Sequence, residues 1–109
     1  MKKSDKIPTP TVGEILQEEF LEPLGITAYR LAKEINVSTT TILDIINNNR
    51  KITVDTALRL SRYFGNSAHF WLNLQNDIDI RNQRVKIGSD IEKIIPFNKS
   101  SSEGSYPTT

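Results

Sequence analysis

The 109-residue sequence contains no cysteine and one histidine, His69. A disulfide, a thiol nucleophile or a zinc site with several Cys and His ligands therefore cannot be built within one chain. No apolar run approaches the roughly 20 residues of a membrane span, and the amino terminus lacks the basic-then-apolar pattern of a signal peptide. We expect a cytoplasmic protein with no metal, no cofactor and no membrane partner.

Net charge is also scarce, because 14 basic side chains oppose 13 acidic ones. A net charge of +1 does not by itself indicate a protein that binds polyanions. The apolar content of 37% is enough for one compact core but thin for a core spread over the whole length. One domain with tails is therefore expected.

The composition divides the chain into three regions. Residues 1–10 contain three lysines and two prolines and are interpreted as an extended basic arm. Residues 11–84 form the predicted folded domain. Residues 85–109 are predicted to be a largely flexible carboxyl-terminal extension, because their end is rich in Ser, Gly and Pro. The short apolar runs at 85–87 and 91–97 are ambiguous between helix and strand.

Apolar spacing between residues 11 and 84 predicts five helices and an all-α fold. The first helix should end near Pro23, and the fourth carries Val54, Ala57, Leu58, Ser61 and Phe64 at helical spacing. Left-handed residues are expected at Asn36, Asn48 and Gly65, where helices end. The predicted amino-terminal capping residues are Thr11, Thr27, Ser38, Thr53 and Ser67.

The second and third helices are joined by the short turn Asn36-Val37-Ser38. A pair of this kind can present the amino terminus of its second helix to the major groove of DNA. Ser38, Thr39, Thr40 and Thr41 stand at that terminus, where backbone N–H groups favour a phosphate oxygen and hydroxyls can meet base edges. Arg50 and Lys51 follow the helix and are placed to hold the flanking DNA backbone.

Leu31-Ala32, Asn36-Val37-Ser38, Ile42 and Ile45 together resemble the helix-turn-helix of Cro/repressor-type (XRE) regulators. The run Gly13-Glu14-Ile15-Leu16 and the run from Phe70 to Gln75 extend the likeness to the HigA-type, or VapI-like, antitoxins. The resemblance covers residues 11 to about 84.

This resemblance implies a five-helix Cro/repressor-like DNA-binding domain that forms a homodimer on a palindromic operator. It further implies an antitoxin without catalysis, which neutralises a HigB-type mRNA endonuclease and represses their shared operon. Thr39, Thr40 and Asp44 match base-facing positions of the family, and Thr27, Ser38 and Asn47 match positions that touch phosphates.

The sequence departs from the family pattern at several of these places. Ala28 stands where many relatives have a phosphate-binding Gln, and Thr39 and Thr41 stand where they often have Arg. Asn36 and Asn48 replace the usual glycines, which the fold should tolerate because Asn accepts a left-handed backbone.

Two other functions remain open on the residues alone. A free-standing XRE-type repressor without a toxin would have the same fold, and a helical protein-interaction module would suit the low net charge. An enzyme is not expected, because the one histidine lacks a recognisable catalytic partner.

Apolar residues outside the predicted core indicate partner surfaces. In the fifth helix Trp71 is interpreted as a core anchor, and Phe70 and Leu72 as the dimer interface. Leu43 faces away from the core pattern and is expected to meet DNA, a second protomer or solvent. Residues 85–109 are the first place where a toxin contact is expected.

Overall fold

The computed structural model describes residues 10–97, and the predictions made for residues 1–9 and 98–109 lie outside the described residues. Residues 10–97 form five helices and no strand, which confirms the predicted all-α fold. The helices are α1, which runs through Val12–Ile15, Leu16–Leu21 and Glu22–Leu24, then α2 (Ala28–Ile35), α3 (Thr39–Ile46), α4 (Val54–Phe64) and α5 (Ala68–Glu92).

All five predicted capping residues begin a helix. Each hydroxyl accepts a hydrogen bond from the backbone N–H three residues further on, and at Thr11 the carboxylate of Glu14 completes a capping box. The expected left-handed residues are confirmed as well, with φ of 62° at Asn36, 66° at Asn48 and 82° at Gly65. Local sequence signals therefore set where most of these helices begin and end.

The middle of α1 is wound as a π-helix over Leu16–Leu21, which the apolar spacing did not predict. The N–H of Glu22 bonds to the carbonyl of Gln17, five residues back. Pro23 follows directly and has no N–H to donate, so a wider turn before it relieves the crowding that proline causes inside a helix. The same winding lets Leu16 and Leu21 both be fully buried.

Helix α4 buries a different face from the one its apolar spacing predicted. Val54 and Leu58 are exposed, whereas Thr56, Ala57 and Leu60 are buried. Both sets of residues have helical spacing, so the sequence alone allows either rotation of the helix. Packing of α4 against both α2 and α5 selects the second rotation.

Helix α5 is longer than predicted, and the expected domain boundary at residue 84 falls inside it. Val85 and Lys86 continue the helix and Ile87 lies at a kink within it, so the strand alternative for residues 85–87 is wrong. Extending an existing helix fixes one residue per hydrogen bond, which is far easier than nucleating a new one. A non-helical backbone at Ile87 marks a kink in this distal part.

The core lies among the five helices, with α4 packed against α2 and α5, α3 against α2, and α1 against α3 and α5. Trp71 is fully buried, which confirms it as a core anchor, and its indole N–H donates to Oδ1 of Asn66 at 3.0 Å. The rings of Phe20 and Phe64 pack near it, with centroids 4.8 and 6.0 Å from the indole. The buried apolar residues are Val12, Leu16, Leu21, Leu31, Ala32, Ile35, Ile42, Ile45, Ile52, Ala57, Leu60, Trp71 and Ile78.

Candidate nucleic-acid interface

The amino terminus of α3 lies on the surface of the chain. Ser38 and Thr40 are exposed, and Thr39 and Thr41 are half-buried. The first N–H groups of a helix lack acceptors within the helix and carry its positive dipole end. This end of α3 can therefore receive an anionic oxygen.

The Thr41 hydroxyl is committed within the chain. It shares a hydrogen bond of 2.9 Å with the Ser38 hydroxyl, which also accepts from the Thr41 N–H at 3.1 Å. The Ser38 and Thr41 side chains thus stabilise the start of α3. Thr40 is the threonine of this set that the structure places fully outward.

One continuous face of α3 points to solvent. Thr40, Leu43 and Asn47 are exposed, and Asp44 is half-buried among them. Their spacing of three, four and seven residues places the four side chains on one side of the helix. The opposite side carries Ile42 and Ile45, both buried. Thr40 and Asp44, two of the three residues that the family resemblance assigns to base edges, therefore lie on a solvent-facing side of α3.

Thr27 lies at the amino terminus of α2, where its hydroxyl accepts from the Arg30 N–H at 3.0 Å and its side chain remains exposed. Arg30 pairs with Glu34 at 2.9 Å, and that hydrogen bond raises the pKa of the Arg30 guanidinium. The amino terminus of α2, where Thr27 lies, is thus the second helix end, after that of α3, that we expect to approach a phosphate.

Arg50 and Lys51 both form ion pairs within the chain. Arg50 lies 3.5 Å from the Asp44 carboxylate, and Lys51 lies 2.6 Å from the Asp79 carboxylate on α5. All four side chains are partly exposed, so each pair contributes at most about 1 kcal/mol of stability. Either cation can turn to a phosphate at small cost. In the free chain, however, the basic character next to α3 is partly neutralised.

Three residues that the sequence reasoning missed hold α3 in place. Gly13 lies so close to the end of α3 that a Cβ atom there would overlap the carbonyl oxygens of Ile45 and Ile46. The buried side-chain amide of Gln75 accepts from the Ile52 N–H at 2.7 Å and donates to the Ile52 carbonyl at 2.8 Å. The third residue is Arg59. Gly13 had a visible signal in the Gly-Glu-Ile-Leu run, whereas the partner of a buried glutamine cannot be read from a sequence.

Arg59 reaches from α4 to the turn between α2 and α3. Its guanidinium donates to the carbonyl of Ile35 at 2.9 Å and to that of Asn36 at 3.3 Å, while Asp55 holds it at 2.6 Å. The last carbonyls of a helix have no partner within it, and a cation there also meets the negative end of the dipole. Arg59 therefore stabilises the turn that joins α2 to α3.

The residues assigned to the dimer interface are partly covered by their own chain. Phe70 is 40% exposed and its ring contacts Trp71 edge-on, with centroids 5.0 Å apart. Leu72 is half-buried and packs against the core. More fully exposed apolar side chains lie further along the chain, at Ile80, Val85, Ile94, Ile95 and Phe97.

His69 is exposed. Within residues 10–97 no group of three or more His, Cys, Asp or Glu side chains is arranged to hold a metal ion. Among the described helices none is both long and apolar enough to cross a membrane.

Known proteins share this arrangement. Residues 18–71 match the helix-turn-helix family. Virulence-associated protein I of Dichelobacter nodosus is 48% identical over 77 residues, which cover 71% of each chain. Antitoxin HigA-1 of Vibrio cholerae is 35% identical over 97 residues, which cover 89% of this chain and 90% of the antitoxin.

A solved structure of the Pseudomonas aeruginosa antitoxin HigA with the higBA promoter superimposes on this chain with a TM-score of 0.77. The two sequences are 39% identical, and the match covers 82% of this chain and 97% of that antitoxin. The likeness thus extends from α1 into α5, well beyond the helix-turn-helix itself.

Proposed function

The chain belongs to the helix-turn-helix family that includes Virulence-associated protein I and the HigA antitoxins, and we propose that it represses its own operon and neutralises a HigB-type mRNA endonuclease. Its relatives are regulators and antitoxins, so this is a DNA-binding antitoxin and not an enzyme. It would act in the cytoplasm, where its operator DNA is accessible.

The exposed amino-terminal face of α3 is the observation that carries this proposal. Thr39, Thr40 and Asp44 are the residues proposed to face base edges in the major groove, with Asp44 accepting from a cytosine amino group. Residues proposed to contact the DNA backbone are Thr27, Ser38, Asn47, Arg50 and Lys51. Thr41 would act on DNA through its contact with Ser38, because its own hydroxyl is engaged there.

A homodimer is proposed to bind a palindromic operator. Two α3 helices about 34 Å apart would enter successive major grooves on one side of the duplex. Phe70 and Leu72 remain the proposed dimer contacts, and the exposed part of the Phe70 ring is the surface they offer.

Binding to the DNA upstream of the gene tests the proposal. Thr40→Ala should relax base preference, because it removes a group that faces base edges. Arg50→Ala should weaken binding to all sequences alike and flatten the dependence on salt, because it removes a phosphate contact. Affinities would be measured by electrophoretic shift at several salt concentrations, with Lys86→Ala as a control that removes one cation from the distal part of α5.

Identical effects of Thr40→Ala and Arg50→Ala would show that the assignment to base and backbone contacts is wrong. Absence of any salt-sensitive complex at micromolar protein would favour a helical interaction module, a function that the in-chain ion pairs of Arg50 and Lys51 suit. A free-standing repressor would bind DNA in the same way, and the absence of a toxin gene next to this gene would favour it.

The toxin contact is proposed to lie in residues 85–109. Val85, Ile94, Ile95 and Phe97 are exposed apolar side chains in the described part of this region. Apolar surface of this kind is typical of a protein-binding site.

Capture of the neighbouring gene product by the full chain would test the toxin contact. A variant with Val85, Ile94 and Ile95 changed to Ser should capture far less toxin, whereas Leu58→Ser should capture as much as the unchanged chain. Leu58 is a suitable control because it is an exposed apolar residue on α4, away from the proposed contact. Equal capture by the unchanged chain and the triple variant would place the toxin contact elsewhere.

A further inference from the structure

Leu43 is an apolar side chain in the middle of the solvent-facing side of α3. It is 44% exposed, three residues after Thr40 and four before Asn47, so it shares their side of the helix. Asp44 lies beside it, half-buried. Leu43 is thus surrounded on this face by polar residues proposed to contact DNA.

The fold itself does not account for a leucine at this position. The core contacts of α3 are made by Ile42 and Ile45, which are buried, and by the partly buried Ile46. Leu43 projects from the other side of the helix. A polar or charged residue here would keep the same helix and would be better hydrated, so the leucine gives the DNA-facing side of α3 an apolar surface.

The major-groove edge of DNA offers one such surface, the C5-methyl group of thymine. The other groups on that edge are hydrogen-bond donors and acceptors, which lose water against a leucine without gaining a partner. An isobutyl group therefore favours thymine over the other three bases at the position it covers. A hydroxyl or carboxylate at the same place would not make this distinction.

We propose that Leu43 is a specificity-determining residue that packs on a thymine methyl in each half of the operator. The inference depends on the proposed DNA-binding function and adds to it the base that this side chain reads. Thr40 and Asp44, on the same face, would read neighbouring base edges by hydrogen bonds.

Replacing single thymines by uracil tests this contact, because the change removes the methyl and leaves every hydrogen-bonding group in place. The probe is the duplex that the full-length protein enriches from a random pool. Each thymine of its half-site is replaced in turn, and affinity is measured by fluorescence anisotropy. One replacement should weaken binding about fourfold, the value of burying one methyl group. The same replacement in both half-sites should weaken it about fifteenfold.

Leu43→Ala changes both subunits, so it should bind the thymine duplex about as weakly as the unchanged protein binds the duplex with uracil in both half-sites. The variant should also be indifferent to the replacement. Such non-additivity in a double-mutant cycle is the signature of a direct contact. The variant should fold normally, since the side chain is exposed and Ala favours a helix. Leu58→Ala, an equivalent truncation of an exposed leucine on α4, should leave the response to uracil unchanged.

Three results would overturn the inference while leaving the proposed function intact. The first is an enriched duplex whose binding is indifferent to every uracil replacement. The second is a methyl response that Leu43→Ala retains, in which case Thr40→Ser, which removes only the threonine methyl, should abolish it. A Leu43→Ala protein that changes its oligomeric state in light scattering would place the residue at a subunit contact and would also overturn the inference. Failure of the unchanged protein to enrich any duplex would overturn the proposed function and this inference together.

Discussion

This chain has two regions, residues 11–79 and residues 80–97, that differ in how far their apolar side chains are buried. In the first region every helix is capped by a side chain and the face that opposes DNA recognition is packed into the core. In the second, Ile80, Val85 and Ile94 are exposed along and beyond the distal half of α5. The apolar faces of the first region are therefore buried against one another, whereas the apolar side chains of the second are open to a partner.

The largest expected difference in the free energy of unfolding is between alanine substitutions of one glycine in each region. Gly13→Ala should lower the free energy of unfolding by about 3 kcal/mol, because the new Cβ would force α1 away from the backbone of Ile45 and Ile46. Gly88→Ala, where a Cβ would meet nothing within 4 Å, should raise it by up to about 1 kcal/mol through better helix propensity. Urea titration of both variants measures the difference, and similar values for the two would show that α1 does not hold α3.

The side-chain amide of Gln75, which bonds to the backbone of Ile52, lies in the packed part of α5. Gln75→Leu keeps the side-chain volume but leaves the buried N–H and carbonyl of Ile52 without their partner, at a cost of about 2 kcal/mol. Asn76→Leu, at the next and exposed position, should change the free energy of unfolding by less than about 0.5 kcal/mol. Urea titration would again give both values. If Gln75→Leu were neutral, the loop after α3 would be held by other contacts.

Arg59 and Arg62 provide a similar comparison on α4, between an arginine that bonds to the turn before α3 and an exposed one. Arg59→Ala should cost about 1 kcal/mol, because the carbonyls of Ile35 and Asn36 lose a charged donor in a partly exposed place. Arg62→Ala, on the exposed side of the same helix, is the matched control and should cost less than about 0.5 kcal/mol. DNA affinity measured beside stability sharpens the test: loss of affinity for Arg59→Ala at a temperature where the chain is fully folded would show that this turn sets the angle of α3. Equal stability losses for Arg59→Ala and Arg62→Ala would contradict the assignment.

The same division separates what the sequence could predict from what it could not. Capping hydroxyls and the left-handed Asn36 are local signals that need no tertiary contact, so the helix starts and the turn before α3 could be predicted. The rotation of α4 could not, since Ala57 belongs to both candidate faces and only packing chooses between them. The end of α5 was also beyond prediction, because Val85 and Ile87 belong to a run too short to show a period.

The candidate site divides in the same way. The side chains of α3 that point outward follow from helical spacing, so the sequence alone assigns Thr40, Asp44 and Asn47 to one face. It does not reveal the in-chain partners of Arg50 and Lys51, because Asp79 is distant in sequence and meets Lys51 only after α5 packs beside the loop. The sequence also does not reveal which threonine hydroxyls are free to meet DNA. Thr41 is the same residue type as the exposed Thr40, but its hydroxyl bonds to that of Ser38.

The smallest expected effect on the free energy of unfolding is that of a substitution in residues 80–97. Val85 is 84% exposed, so Val85→Ala removes little buried surface and should leave the free energy of unfolding unchanged or raised by a few tenths of a kcal/mol, about the difference in helix propensity. Ile78→Ala, two turns earlier on the same helix and buried, should instead cost about 3 kcal/mol. Unfolding should be measured at two protein concentrations. If Val85 were buried between subunits, the change in the free energy of unfolding would depend on the protein concentration. A concentration-dependent loss for Val85→Ala would mean that the distal half of α5 is already covered by a second copy of the chain, and the contrast between the two regions would then hold only for the isolated subunit.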